Sequence, residues 1–282
     1  MRDLGGKVAV VTGGASGIGF ALARRFVDEG MHIVLADVEE VALEQALSDL
    51  GDSSMEVIAV PTDVSEAAEV DALATQVIDR FGAVHVVCNN AGVGGEHYPT
   101  WEAPPSYWEW LFSVNVWGVI HGIRSFVPHL VAQGEGHVVN TASITALIGA
   151  PYIGPYVATK HAIVGISEVL LHELALARSA VKVSVVCPGG VATRLADAVR
   201  NWPSSLGPVP ESSSDKRVQA IHAVVRSGTA GGLDPNAVAD RVVGAIRNER
   251  FMVLTDDEDG PRAIRSLTEA VEGRSPLSLW GS

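Results

Sequence analysis

The feature that most constrains this chain is its regular alternation of short β-branched apolar runs with longer helical patterns. The runs are mostly continuous, which is typical of strands buried on both faces of a parallel sheet. Strands are predicted at Val8–Val11, His32–Ala36, Val57–Val60, Val84–Cys88, His137–Thr141, Lys182–Cys187 and Arg250–Leu254. Helices are predicted near residues 18–29, 39–50, 66–81, 106–132, 155–178 and 235–248. Repeated β-α units with right-handed crossovers predict one α/β domain, residues 1–282, with a doubly wound parallel sheet in three α/β/α layers.

One stretch, Ala192–Leu233, departs from this alternation because it is rich in proline, serine and glycine. A loop of this length inside a compact domain is usually a lid or a disordered segment. If this stretch lay on the protein surface, its apolar side chains would be exposed to solvent. We therefore expect some of them, such as Leu195 and Trp202, to close over a ligand. Packing against a neighbouring subunit and a surface insertion without a role are the alternatives.

Composition excludes several classes of protein. Lys and Arg number 20 against 33 Asp and Glu, and the net charge of −13 argues against a nucleic-acid partner. No apolar run approaches the length of about 18 residues that a membrane span needs. The two cysteines, Cys88 and Cys187, lie in apolar runs, which excludes a disulfide framework. With no signal peptide recognised, the sequence predicts a cytoplasmic location.

Three short segments that contain acidic residues have predicted local roles. Asp63–Glu66 and Asp234–Pro235 are predicted helix starts, the second with proline just inside the helix. The run Asp256–Asp259 is predicted to be a solvated acidic surface.

The segment Thr12–Gly19 links the first predicted strand to the first helix and has the spacing G-x-x-x-G-x-G. Glycines let the backbone turn sharply and approach a pyrophosphate, whose charge meets the N–H groups at a helix N-terminus. The pattern alone also fits a plain tight turn, but its position favours a dinucleotide site.

The second strand ends at Asp37, 18 residues beyond Gly19. A carboxylate there can accept hydrogen bonds from ribose hydroxyls and would repel a 2′-phosphate. Neither Val38 nor Ser16 supplies a positive charge, so NAD is favoured over NADP. The alternative role for Asp37 is a simple cap of the next helix.

Tyr156 and Lys160 are four residues apart and therefore lie on one face of a helix. A nearby cation favours the phenolate, which a tyrosine needs if it is to act as a base near neutral pH. The pair alone also fits an exposed tyrosine and a surface lysine. Ser143 follows the fifth strand, where a hydroxyl can point into the crevice that binds ligands in such sheets.

Further polar or glycine-rich groups follow the other strands, so that each of the first six carries one at its carboxyl end. These groups are Asp63, Asn89–Gly92, Pro188–Gly189 and Thr193, and Asn115 lies within the predicted long helix.

Together these motifs make the chain resemble the short-chain dehydrogenase/reductase family, from Lys7 to about Leu254, in family order and spacing. The resemblance implies a Rossmann-like fold and an NAD-dependent oxidoreductase that moves a hydride between the nicotinamide and a secondary alcohol or ketone. An NADPH-dependent carbonyl reductase and a non-catalytic NAD-binding scaffold on the same fold are the alternatives.

The resemblance also implies roles for individual residues. Tyr156 would be the general acid/base, and Lys160 would lower its pKa and hold the nicotinamide ribose. Ser143 would orient the substrate oxygen, and Asn115 would support a water-linked proton path. The implied cofactor-binding residues are Gly13, Ser16, Gly17, Ile18, Gly19, Asp37, Asp63, Val64, Asn90, Ala91, Gly92, Tyr156, Lys160, Pro188, Gly189, Val191 and Thr193. No metal site is predicted, because the histidines and cysteines lack ligand spacing.

Aromatic residues crowd the stretch 98–117, and the segment after Ser143 is apolar. An aromatic box for a ring-containing substrate is one interpretation, and a role in the core or in subunit contact is the better one. The resemblance implies a homo-oligomer, commonly a tetramer or otherwise a dimer, built through the helices that carry Asn115 and Tyr156. The substrate is expected to be a secondary alcohol or ketone with a bulky, apolar body.

Overall fold

The computed structural model describes residues 1–51 and 54–279, and its centre is a seven-stranded parallel sheet. The strands are β1 Val8–Thr12, β2 His32–Asp37, β3 Val57–Pro61, β4 Val86–Asn89, β5 His137–Thr141, β6 Lys182–Cys187 and β7 Met252–Leu254. Their order in the sheet is β3-β2-β1-β4-β5-β6-β7. Every residue of β1 and β5 is buried, as expected for central strands of a parallel sheet, whereas the edge strand β3 is partly exposed.

Helices cover both faces of this sheet. They are α1 Gly17–Asp28, α2 Glu40–Leu50, α3 Ala67–Phe81, α4 Pro105–Phe112, α5 Gly118–Gln133, α6 Gly154–Leu176, α7 Lys216–Ala230, α8 Pro235–Asn248 and α9 Asp259–Val271. One core joins Phe26 of α1 to Val242 of α8, and a second joins Leu73 of α3 to Phe126 of α5. The three-layer α/β/α architecture predicted from the sequence is therefore confirmed.

The strand order reverses direction between β1 and β4. The chain leaves these two neighbouring strands toward opposite sides of the sheet, which opens a crevice beyond their carboxyl ends. The groups that follow the strands therefore meet at one edge.

No helix among the described residues is long and apolar enough to cross a membrane.

The predicted single helix 106–132 is in fact divided. A π-helical turn, Ser113–Trp117, separates α4 from α5 and contains Asn115. Such a turn holds one more residue than an α-helical turn and often marks a functional site. The apolar periodicity continues through it, which is why the sequence pattern did not reveal it.

The stretch Ala192–Leu233, hereafter the lid segment, is more regular than its proline and serine content predicted. Two 3-10 helices, Leu195–Asn201 and Ser204–Leu206, precede α7. The Asp215 side chain accepts a hydrogen bond from the Arg217 N–H and so caps α7. The prediction of an irregular loop was wrong here, because a local cap starts a helix beyond the prolines.

The acidic run is only partly a solvated surface. Asp256, Asp257 and Glu258 are exposed, but Asp259 is buried and begins α9, a helix that the sequence analysis did not predict. Burial raises the pKa of Asp259, and nearby Asp256 adds to the effect. The prediction for Asp259 was wrong because the start of α9 folds back toward the sheet.

The two predicted helix starts behave differently. The Asp234 carboxylate caps α8 by accepting a 2.9 Å hydrogen bond from the Asn236 N–H, as predicted. Asp63 does not cap α3, which begins only at Ala67. Its carboxylate instead accepts hydrogen bonds from the backbone and hydroxyl of Ser65.

Candidate active site

The glycine loop forms one wall of a cavity at the carboxyl edge of the sheet. Gly13 and Gly17 have φ angles of +63° and +55°, which side-chain-bearing residues adopt at a cost. A Cβ at Gly13 would also lie 2.9 Å from the Ala91 Cα. These glycines thus let the loop lie against β4 while α1 begins at the cavity wall.

The resemblance implies Gly19 as a cofactor-binding residue. It lies outside the cavity lining, and a Cβ there would collide with the Gly13 carbonyl and lie 2.7 Å from Asn90 Nδ2. Its lack of a side chain allows α1 to pack under the loop. Asn90 donates from Nδ2 to the Thr12 carbonyl at 3.1 Å, so β1 and β4 are tied together below the cavity.

Asp37 is the last residue of β2, lies beside the glycine loop and lines the cavity. Its carboxylate accepts hydrogen bonds from the N–H groups of Ala15 and Glu39, each at 3.1 Å. Burial raises its pKa, and the two amide donors act in the opposite direction. Helix α2 begins at Glu40, and Asp37 does not cap it. The alternative role of Asp37 as a simple helix cap is therefore wrong.

Tyr156 and Lys160 lie on the first turns of α6. The Lys160 side chain is buried, with 3% of the residue exposed, and its Nζ lies 5.5 Å from the centre of the Tyr156 ring. The ammonium donates a 3.0 Å hydrogen bond to the Thr141 carbonyl at the end of β5. A surface lysine is therefore excluded. Tyr156 and Ser143 both line the cavity, as does Lys160.

The electrostatics of this pair differ from the sequence-based expectation. Burial raises the pKa of Tyr156 to about 12, and its hydrogen bond with the Ser143 hydroxyl works in the opposite direction. Burial also lowers the pKa of Lys160 to about 8. Desolvation of both groups thus opposes the phenolate that the neighbouring cation would favour.

Asn115 sits behind the cavity wall rather than in it. Its side chain is fully buried, with Oδ1 accepting from the Val93 N–H at 2.8 Å and Nδ2 donating to the Val93 carbonyl at 3.0 Å. Nδ2 also lies 3.2 Å from Thr159 Oγ1. A Cβ at Gly92 would lie 3.3 Å from Asn115 Oδ1 and 3.5 Å from Lys160 Nζ, so both groups approach this glycine.

The loop after β6 closes the remaining side. Pro188, Gly189, Val191 and Thr193 all line the cavity, and the Gly189 N–H donates a 2.9 Å hydrogen bond to Thr255 Oγ1. Thr255 was missed by the sequence analysis. It follows the seventh strand, so the rule applied to the first six strands would have found it.

The structure brings the predicted site together at one cavity, except for Gly19 and Asn115. The predicted residues that line it are Gly13, Ser16, Gly17, Ile18, Asp37, Asp63, Val64, Asn90, Ala91, Gly92, Ser143, Tyr156, Lys160, Pro188, Gly189, Val191 and Thr193. Glu39, Arg194 and Arg200 also line it and were not predicted. Arg194 could have been noticed because it adjoins Thr193, whereas Arg200 lies farther along the lid segment and adjoins no predicted site residue.

The aromatic stretch divides between the core, the surface and the cavity. Tyr98, Tyr107 and Trp110 are buried in one cluster, and Trp110 also lines the cavity. Trp101 and Trp117 are 82% and 51% exposed. The stretch is therefore not a single aromatic box, and among its aromatic residues only Trp110 lines the cavity.

The doubly wound sheet, the glycine loop at its switch point and the Ser-Tyr-Lys group define an α/β oxidoreductase of the dinucleotide-binding class. A family model described as short chain dehydrogenase matches residues 7–204. The chain belongs to the short-chain dehydrogenase/reductase family.

Particular relatives agree with this assignment. The chain is 38% identical to a 1-deoxy-11-beta-hydroxypentalenate dehydrogenase of Streptomyces arenae, over 96% of this chain and 89% of that protein. It is 33% identical to 3beta-hydroxysteroid dehydrogenase 2 of Eggerthella lenta, over 89% and 94% of the two chains. A crystal structure of a family member from Burkholderia phymatum in complex with NAD superposes with a TM-score of 0.93, at 39% identity over 99% of each chain.

Proposed function

We propose that the protein oxidises a secondary alcohol, or reduces the matching ketone, with NAD(H) as cofactor and Tyr156 as general acid/base. The observation that carries the proposal is the placement of Ser143, Tyr156 and buried Lys160 in the same cavity as the glycine loop and Asp37. When bound, the nicotinamide accepts or supplies the hydride. The test is a panel of alcohols and ketones with NAD(H), followed at the nicotinamide absorbance.

In alcohol oxidation, Tyr156 takes the proton of the substrate's hydroxyl group. At the same time the carbon that bears this group gives up a hydride, which the nicotinamide would accept. Ser143 holds the substrate oxygen beside the phenol, and the Lys160 ammonium stabilises the phenolate that forms. Asn115 acts indirectly, because its carboxamide holds Val93 and approaches Gly92 beside Lys160. We propose that Asn115 supports a water-linked proton path toward Lys160.

The names of the relatives support this substrate class. One refers to a hydroxylated pentalenate and the other to a hydroxysteroid, and both are dehydrogenases. Each therefore acts on an alcohol carried by a larger molecule. The apolar lining beyond Tyr156 supports the same kind of substrate for this chain.

NAD is expected to be preferred over NADP. The Asp37 carboxylate lines the cavity at the end of β2, where it would bind ribose hydroxyls and repel a 2′-phosphate. Asp37→Ala should lower the ratio of kcat/KM with NAD to kcat/KM with NADP, measured on one substrate. Equal values for the wild-type enzyme would instead favour the NADPH-dependent reductase, in which Arg194 would meet the phosphate.

The two directions of reaction should respond differently to pH. Oxidation needs the deprotonated phenol, and burial raises the pKa of Tyr156 to about 12, so the phenolate is scarce near neutral pH. Below this pKa the phenolate fraction grows as pH rises, so we expect kcat/KM for alcohol oxidation to rise with pH, while ketone reduction does not rise. Measured pH profiles in both directions test this, and an oxidation rate that is flat or falling with pH would contradict it.

The lid segment is proposed to close over cofactor and substrate. Its two ends are joined at the base, because the Leu233 N–H donates to the Gly190 carbonyl at 2.9 Å and the Ala192 N–H donates to Leu233 at 3.0 Å. Its far side reaches the loop after β2, where Arg200 Nη2 lies 2.6 Å from Glu39 Oε1. The segment therefore spans the cavity from the end of β6 to the end of β2.

Breaking this ion pair should speed cofactor release. Partly exposed pairs contribute up to about 1 kcal/mol, so Arg200→Gln should accelerate NADH dissociation by up to about fivefold in stopped-flow measurements. Arg226→Gln is the control, because it breaks an ion pair with Asp197 in the same segment without touching Glu39. Equal release rates for wild type and Arg200→Gln would contradict closure by this contact.

Hydrogen exchange tests the lid as a whole. The segment should gain protection on addition of NAD and then of a substrate analogue. Uniformly strong protection without ligand would favour packing against a neighbouring subunit instead.

We also propose a homo-oligomer, commonly a tetramer in this family, built through the helices around Asn115 and Tyr156. Trp117 at the π-helical turn and Val169 and Leu176 of α6 are 51%, 55% and 86% exposed. Apolar side chains of this size on neighbouring helices favour subunit contact. Sedimentation equilibrium distinguishes a tetramer from a dimer, and a monomer would contradict the proposal.

A further inference from the structure

The peptide unit that links Pro188 and Gly189 joins two walls of the cavity. Both residues line the cavity in the loop after β6. The Pro188 carbonyl accepts a 2.8 Å hydrogen bond from the Ile144 N–H. On the opposite side of the same peptide, the Gly189 N–H donates a 2.9 Å hydrogen bond to Thr255 Oγ1. Because a peptide unit is planar, a bond on each side fixes its rotation.

Ser143 depends on this linking peptide for its position. The N–H groups of both its chain neighbours are held by β6 and the loop after it. Ala142 donates to the Val186 carbonyl at 2.7 Å, and Ile144 donates to the Pro188 carbonyl. A rotation of the linking peptide would therefore shift the Ser143 hydroxyl relative to the phenol of the site.

Thr255 reaches the linking peptide because of the pairing of the last two strands. Cys187 of β6 lies opposite Leu254 of β7, so the residues that follow these strands are neighbours. Thr255 is 7% exposed, so water has little access to replace its hydroxyl as the acceptor. It does not line the cavity, and its effect on the site is therefore exerted through Gly189.

A second residue of the C-terminal part lies at the same corner. A Cβ at Gly189 would lie 3.7 Å from Asp259 Oδ2 and 3.8 Å from Thr255 Oγ1. Asp259 is buried and is the first residue of α9. The end of β7 and the start of α9 therefore both lie beside the linking peptide, and Thr255 is the residue that bonds to it.

We propose that Thr255 is a positioning residue for hydride transfer. Its hydroxyl fixes the linking peptide, which keeps Ser143 in register with the loop after β6, where the nicotinamide would lie. Without this acceptor the Gly189 N–H is left unpaired in a part-buried place, which favours rotation of the peptide toward another partner. The inference rests on the proposed function, since a substrate oxygen held at Ser143 and the nicotinamide must meet for the hydride to move.

The kinetic test compares Thr255→Val with Thr255→Ser. Valine keeps nearly the same shape but lacks the acceptor, and serine restores the acceptor. With NAD and the alcohol that the wild-type enzyme oxidises fastest, we expect kcat to fall between about 10- and 100-fold in Thr255→Val, because small misplacements of reacting groups are costly. Thr255→Ser should stay close to the wild-type value. A valine variant with near-wild-type kcat, or a serine variant as impaired as the valine one, would overturn the inference.

Thr268→Val is the matched control. It makes the same change within α9, where the Thr268 hydroxyl donates to the Ile264 carbonyl at 2.8 Å, and it should keep the wild-type kcat. Thr255→Ala also removes the acceptor and needs less space, so it replaces Thr255→Val in both tests if the valine variant does not fold.

Binding separates failure of this inference from failure of the proposed function. Titration calorimetry compares NADH with ADP-ribose, which lacks the nicotinamide. We expect Thr255→Val to weaken NADH binding by about tenfold, the loss of roughly one hydrogen bond, and to leave ADP-ribose binding nearly unchanged. An equal loss for both ligands, or no loss for either, would overturn the inference. If the wild-type enzyme turns over no member of the alcohol and ketone panel, the proposed function fails, while this comparison still decides the role of Thr255.

Discussion

Tyr156→Phe should lower kcat for alcohol oxidation by about 10²–10⁴, the range expected when a general acid/base is lost. The phenol is the titratable group that lies in the cavity beside Ser143, and phenylalanine keeps the ring that packs against the surrounding apolar cluster. NADH affinity and thermal stability should therefore stay close to the wild-type values. Single-turnover kinetics with a saturating substrate measure the effect on the chemical step.

Tyr152→Phe is the matched control for this variant. Tyr152 lies four residues earlier and offers a second phenol, but it precedes α6 and does not line the cavity. It already has a positive φ of +67°, so phenylalanine adds no new backbone strain. Tyr152→Phe should keep its kcat, and a Tyr156→Phe enzyme that keeps most of its kcat as well would remove Tyr156 from its proposed role.

Lys160→Met is expected to cause the second large loss, again of about 10²-fold or more in kcat, because the charge that stabilises the phenolate disappears. Methionine keeps an unbranched side chain in a site where 3% of the lysine is exposed, so the packing around it is largely preserved. NADH affinity should fall as well, since the ammonium is proposed to hold the nicotinamide ribose. Fluorescence titration measures that affinity independently of turnover.

Lys160→Arg should fail to restore activity even though it restores the charge. The ammonium is a compact donor that reaches the Thr141 carbonyl at 3.0 Å, whereas guanidinium is a larger planar fork. Overpacking a buried site costs about 1–3 kcal/mol, so a loss of stability should accompany the loss of rate. An arginine variant with near-wild-type kcat would show that charge alone, and not its position, matters at this site.

Local sequence determined the parts of this protein that depend on neighbours close in the chain. Continuous apolar runs specify strands that need burial on both faces, and the spacing of Tyr156 and Lys160 specifies a shared helix face. The glycines of Thr12–Gly19 and the position of Asp37 at a strand end predict a dinucleotide site. These features are read from steric and hydrophobic patterns over a few residues, and the structure agrees with the fold they predict.

Tertiary packing decided the rest, because the partners concerned are far apart along the chain. Arg200 and Glu39 are 161 residues apart, and Thr255 holds Gly189 from 66 residues away. Only the fold brings Trp202 against Trp110. No local sequence pattern predicts such contacts, because they depend on how entire helices and loops pack against the sheet. The same packing buries both Tyr156 and Lys160, and so determines a desolvation that the spacing of the two residues could not reveal.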